Sequence, residues 1–233
     1  MSTMPAQLAT PSAQSETPPS GLRKAWRMFF GKERRKQLLR MLGYRPINLS
    51  GNYVKWSRVV MEREVRKLIA GIHPEQLDCL EISGENFRDF GFKSYSNMWY
   101  PEYDVCTGPL PGGKQFDLII AEQIFEHLLW PYRAGRNVYA MLRPGGYFMI
   151  STPFMVKVHD YPVDCSRWTE LGLKHFLAEC GFPLDQVVTG SWGNRGCVIG
   201  NFNSEHVLPY RPGKDSLENE PDVPYHVWAL ARK

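Results

Sequence analysis

The chain has 233 residues but only five cysteines, Cys79, Cys106, Cys165, Cys180 and Cys197, and no two of them form a CxxC pair. A zinc ribbon and a thioredoxin-type redox site therefore have no support. An odd number of widely spaced cysteines fits a reduced compartment, so a cytoplasmic protein is the expectation. No uncharged apolar run approaches the ~18–20 residues that cross a bilayer. The N-terminus lacks the charged-then-apolar layout of a secretory signal. The dinucleotide fingerprint G-x-G-x-x-G and the phosphate loop G-x-x-x-x-G-K-[ST] are missing, which argues against NAD chemistry and phosphoryl transfer. No G-x-S-x-G elbow exists, which disfavours an α/β-hydrolase. No His/Cys/Asp/Glu group has metal-ligand spacing, and no metal is expected.

What is present suits one globular domain: 43% hydrophobic and 22% charged residues. The formal charge of +4 is concentrated. Eight basic residues, Arg23, Lys24, Arg27, Lys32, Arg34, Arg35, Lys36 and Arg40, stand between positions 21 and 40 with a single acid, Glu33. The remainder is slightly acidic, so the charge is no argument that the whole protein binds nucleic acid. Residues 1–20, rich in Ser, Thr, Pro, Ala and Gln, read as a disordered tail. Residues 22–42 read as a basic helix, and 52–70 as a helix burying Val54, Val59, Val65, Leu68 and Ile69. The expected division is a tail (1–20), an N-terminal helical segment (21–75) and a domain (76–233). The basic helix leaves two readings open, packing over the sheet edge or weak contact with an anionic membrane. Nucleic acid is disfavoured, because no base-stacking module is recognisable.

From residue 76 onward, short apolar runs alternate with helical patterns. Cys79–Ser83, Phe116–Ala121 and Tyr147–Thr152 read as strands, and Gln186–Trp192 and Tyr225–Ala231 as two more. Ala134–Leu142 reads as a helix stopped by the turn Arg143-Pro144-Gly145-Gly146. A second helix opens at the N-cap Thr169 and stops at Gly181, and residues 193–221 read as a long loop. This alternation implies an α/β fold with a mostly parallel sheet, whose ligands sit beyond the carboxyl ends of the strands.

The residues just past those strands are Glu81-Ile82-Ser83-Gly84-Glu85-Asn86, then Tyr103-Asp104-Val105-Cys106 with Leu110-Pro111. They continue with Phe116-Asp117 to Glu122-Gln123-Ile124-Phe125-Glu126-His127, then Leu142-Arg143-Pro144-Gly145-Gly146. In this order they resemble the class I S-adenosylmethionine-dependent methyltransferases, specifically the type 11 methyltransferase domain, over roughly residues 76–183. The resemblance implies a Rossmann-like three-layer sandwich with a seven-stranded sheet, its last strand antiparallel, and S-adenosylmethionine as cofactor. It implies that Glu81, Ser83 and Gly84 line the methionine end, that Asp104 meets the adenine amine, and that Glu122 and Gln123 flank the methyl group. Ser83 and Glu85 stand where the family carries glycines, and 33 positions separate Ser83 from Phe116, a short interval for it. A non-catalytic binding module on the same fold is therefore the alternative.

The run from Pro153 to Thr169 follows a strand directly and resembles a stretch found in a subset of these enzymes, several acting on sugars or small metabolites. It implies a methyl acceptor that is a small molecule or a sugar, with Phe154, His159, Tyr161, Asp164 and Arg167 as an acceptor wall and Trp192 as a further rim. His159 is the candidate general base, its unperturbed pKa lying near neutrality, with acceptor binding or packing as alternatives. Asp164 and Arg167, three apart, read equally as a loop-holding ion pair. His127 is a weaker base candidate beside Glu126, with a structural role as its alternative.

Overall fold

The computed structural model describes residues 54–159 and 162–233. The tail, the basic helix and the start of the 52–70 helix lie outside the described residues. A 3-10 turn at Trp56–Arg58 leads into α1, Val59–Ala70, which buries Val60, Met61, Val65 and Ile69. Val65 and Ile69 hold their expected places in that stripe, Val59 and Leu68 are half-buried, and Val54 is exposed.

Six strands form one sheet: β1 (Asp78–Ile82), β2 (Ser94–Met98), β3 (Phe116–Glu122), β4 (Leu142–Pro153), β5 (Val187–Trp192) and β6 (His226–Arg232). Their order is β2-β1-β3-β4-β6-β5. β1 pairs in parallel with β2 and β3, and β3 with β4. β6, the last strand, runs antiparallel to both β4 and β5. The seventh strand is absent among the described residues. The interval between Ser83 and Phe116 holds β2 and a one-turn 3-10 helix at Arg88–Phe90, which leaves no length for a further strand and crossover.

The helices cover both faces. α2 (Pro131–Met141) and α3 (Glu170–Glu179) pack on one, where Val138, Leu173, Phe176 and Phe148 meet. α1 and α4 (Arg195–Asn203) pack on the other, with Trp56, Cys197, Ile120 and Trp228. The N-cap Thr169 holds its place: Gly172 N donates to its Oγ1 over 3.1 Å. α4 occupies part of the stretch expected as loop, and Asn194 caps it by accepting from Cys197 N at 2.8 Å. The Arg143–Gly146 turn is built into β4, beside a register shift opposite Phe116 and Leu118. Gly145 supplies a φ of +77°, and a Cβ on Gly146 would stand 2.9 Å from Arg143 O.

Four cysteines are buried and Cys165 is exposed; all five are free thiols. Among the described residues no helix is long and apolar enough to cross a membrane.

Candidate active site

The carboxyl ends of β1, β3 and β4 share one edge of the sheet, and two strained residues mark it. Ser83, just past β1, has φ +52°, and Gln123, just past β3, has φ +55°. Non-glycine residues in this region cost on the order of 1 kcal/mol each and cluster at ligand sites. Backbone bonds hold both bends: Ser83 N donates to Met98 O (2.7 Å) and Gln123 N to Ser151 O (2.9 Å). The Gln123 amide also donates to Ser151 Oγ over 3.3 Å.

Glu81 corrects its expected role. Its side chain is fully buried, and both oxygens are committed. Oε1 accepts from Asn86 N (2.9 Å), and Oε2 accepts from Phe87 N (3.1 Å) and Tyr95 Oη (2.7 Å). It ties the loop after β1 to β2. Burial outweighs these donors and raises its pKa. Gly84 rides on this carboxylate so closely that a Cβ would fall 2.2 Å from Glu81 Oε1.

Glu122 ends β3 with its side chain 7% exposed, and Arg58 Nη1 donates to its Oε1 over 2.5 Å. Asn86 Nδ2 reaches its other oxygen at 3.4 Å. Asp104 turns its own loop, accepting from Cys106 N at 2.9 Å.

Beside Gln123 opens a cleft of about 360 Å³, walled by Arg58, Pro153, His159, Phe202, Tyr225 and His226. His226 is buried, and neither ring nitrogen has a hydrogen-bond partner in the protein. Burial, and after it the Arg58 charge, holds its pKa well below the ordinary histidine value. The sequence reading missed it, as it missed Arg58 and Tyr225.

The loop after β4 folds back on the 3-10 turn Phe125–His127, with Cys165 N donating to Glu126 O at 2.7 Å. Arg167 grips both oxygens of Asp164. Asp164 Oδ2 accepts from His159 N (2.9 Å) and stands 3.2 Å from His159 Nδ1. The pair therefore holds His159 rather than presenting a free charge, and with Arg167 as the main partner the Asp164 carboxyl sits below its usual range. His127 packs edge-on to His159 with ring centres 5.0 Å apart, and its Nδ1 lies 2.6 Å from Val163 O. Burial pushes the Glu126 carboxyl up to about 8 and the His127 imidazole down.

Phe154 is half-buried against the core, and its N–H donates to Tyr225 O. Trp192 is 1% exposed and spends its indole N–H on Leu217 O at 3.0 Å, which corrects its placement at the rim. Tyr161 lies outside the described residues. One ligand atom each from Glu126, His127 and His159 lie within 4.8 Å of one another, a grouping that spacing along the sequence does not reveal.

Residues 72–150 match the family model of a methyltransferase domain. No curated protein matches the sequence. Among solved structures, the chain is similar to a 1,6-didemethyltoxoflavin-N1-methyltransferase of Burkholderia thailandensis, solved with 1,6-didemethyltoxoflavin and S-adenosylhomocysteine. The two are 12% identical with a TM-score of 0.52, covering 98% of this chain and 94% of that one. It is also similar to the [4+2]-cyclase SpnF, at 14% identity and a TM-score of 0.51, covering 91% and 96%. At such identities the likeness concerns the fold. Residues 72–150 thus resemble a methyltransferase domain, and the chain shares the fold of these solved structures.

Proposed function

We propose that the protein is an S-adenosylmethionine-dependent methyltransferase acting on a small-molecule or glycosyl acceptor. The observation that carries this reading is the pair of left-handed bends at Ser83 and Gln123, just past β1 and β3, the second of which lines the cleft. The donor set fits the cofactor. Carboxylate and amide oxygens of Glu122 and Gln123 suit a cationic sulfonium and its ammonium group, and Ser83 and Gly84 give a loop that a methionine end approaches closely. Asp104 is assigned to the adenine amine. When bound, the cofactor supplies an electrophilic methyl group on a good leaving group, so the protein's task is alignment and exclusion of water.

The acceptor belongs in the cleft. Lys55, Arg58 and Lys157 line it against one acid, Glu205, which favours an oxygen-rich or anionic acceptor. His159 stands at the wall, held by Asp164, and is the residue placed to take a proton from an acceptor hydroxyl or amine. The same proposal includes the division into residues 1–20, 21–75 and 76–233, with residues 21–42 either packing over the sheet edge or making weak contact with an anionic membrane.

Titration calorimetry with S-adenosylhomocysteine tests it: one site per chain is the expected result, and no heat at saturating protein overturns it. One observation favours the binding-module alternative, the Arg58–Glu122 ion pair, which neutralises the carboxylate assigned to the methyl end. A wild type that binds the cofactor but transfers no methyl group to any of a broad acceptor panel would establish that alternative.

A further inference from the structure

Three residues that the transfer reaction does not require as a group converge next to the cleft. Glu126 and His127 are neighbours on the 3-10 turn after β3, and His159 comes from the loop after β4. Glu126 Oε1 lies 3.5 Å from His127 Nε2. Two ligands at ~2.0–2.1 Å from a tetrahedral zinc ion stand about 3.4 Å apart, so this pair already has the required spacing. The set of three lies within 4.8 Å, so His159 needs only a small approach to close the triangle.

The surroundings point the same way. Glu126 is 1% exposed, and its Oε2 has no hydrogen-bond partner in the protein. Leaving a buried carboxylate oxygen unpaired is costly unless something else pairs with it. Both imidazoles have outer partners of the kind that ligating histidines use. His127 Nδ1 lies 2.6 Å from Val163 O, so Nδ1–H donates to that carbonyl and Nε2 is the lone-pair nitrogen. His159 Nδ1 is 3.2 Å from the Asp164 carboxylate, and that carboxylate is fixed by Arg167, whose Nη2 lies 3.3 Å from the same ring nitrogen. An oriented pair of imidazoles and a buried carboxylate form a donor set for a borderline transition ion. Magnesium and calcium prefer oxygen ligands throughout.

We propose that Glu126, His127 and His159 form a binding site for one divalent ion of the zinc class. Three protein ligands leave a coordination position open, as in sites where zinc also meets a substrate. His159 is the ligand on the cleft wall, so the open position lies on the acceptor side. With Asp164 and Arg167 neutralising each other, one carboxylate and a divalent ion leave a net positive centre. An acceptor oxygen or carboxylate completes it, in keeping with the lysines on the same wall. In the loaded state the ion, rather than His159 as a free base, polarises the acceptor. The ion site itself does not depend on methyl transfer.

The test uses the untagged full chain, stripped with chelator and titrated with zinc chloride by calorimetry, and with cobalt chloride followed by visible absorption. The expected result is one zinc per chain at micromolar or tighter affinity, cobalt bands of a four- or five-coordinate site, and no binding of magnesium chloride. His159→Ala, at a side chain 42% exposed, should fold normally and weaken zinc at least tenfold. Glu126→Gln should do the same, and His175→Ala, an exposed residue on α3, should change nothing. No zinc binding by the wild type overturns the proposal. Binding that His159→Ala leaves intact also overturns it, because the ion then sits elsewhere. Cofactor affinity measured on the same samples separates failure of this site from failure of the methyltransferase reading.

Discussion

Arg58, on the turn before α1, and Glu122, at the end of β3, are joined across 64 positions of sequence by a 2.5 Å hydrogen bond that is mostly shielded from water. The carboxylate thus stands at the strand end with its charge already answered. If Glu122 flanks a sulfonium, its charge should still discriminate between the charged methyl donor and its neutral-sulfur product. Glu122→Gln is expected to weaken S-adenosylmethionine several-fold more than S-adenosylhomocysteine, measured by calorimetry with both ligands. Equal losses would place Glu122 away from the methyl group.

The same pair makes a stability prediction. Arg58→Ala leaves a 7% exposed carboxylate without its cation. Because Arg58 itself is partly in water, the cost is set at about 1–3 kcal/mol, below that of a fully buried pair. The double variant Arg58→Ala/Glu122→Gln should recover part of the loss in chemical denaturation. A double variant no more stable than Arg58→Ala would mean that the pair is not the source of the effect.

Glu81 carries three donors at once, and removing it strands Asn86 N, Phe87 N and Tyr95 Oη. Glu81→Ala should cost about 3 kcal/mol or more and abolish cofactor binding by releasing the loop that holds Ser83. Tyr95→Phe removes one donor and should cost about 1 kcal/mol while keeping measurable binding. Thermal denaturation and calorimetry on the two variants distinguish a loop clamp from a direct ligand of the cofactor. A direct ligand would lose affinity with little change in stability.

These residues also show where the sequence was legible. β1, β3 and β4 are apolar runs between turn signals, and the motifs past their ends led to Ser83, Gln123 and Glu122. β2, Ser94-Tyr95-Ser96-Asn97-Met98, escaped because it is a polar edge strand with no apolar alternation. α4 escaped because Gly196 and Gly200 interrupt a segment with little amphipathic pattern, and its start is set by the Asn194 cap. Glu81 and Trp192 sat in the right stretches but were assigned the wrong role. Burial and hydrogen-bond partners are tertiary facts that a motif does not carry. Glu126 and His127 lie more than thirty positions from His159, and only the return of the loop after β4 brings them together.

Trp192 separates core from rim. Its indole N–H bonds Leu217 O, and neither residue lines the cleft. Trp192→Phe should lower stability by roughly 1–3 kcal/mol through the lost hydrogen bond and packing volume. Once an acceptor is found, its KM should stay within about twofold of wild type. A large KM change at unchanged stability would return Trp192 to the acceptor wall.

His226 gives the chain a pH dependence whose sign follows from its burial. In the unfolded chain its imidazole takes up a proton near pH 6.5. In the folded protein, burial and the nearby charges of Arg58, Lys55 and His159 hold it neutral well below that value. Below about pH 6.5 the unfolded state therefore binds more protons, and stability falls as pH drops from there toward the folded-state pKa. The slope from this one group approaches ~1.4 kcal/mol per pH unit. His226→Met keeps the volume and removes the titration, so its stability between pH 6.5 and 5 should decline less steeply than that of the wild type, even if it is lower at pH 7.5. Urea denaturation at three pH values measures both slopes. Parallel curves would mean that His226 finds a way to carry its proton inside the fold, through the main-chain carbonyl of Thr152.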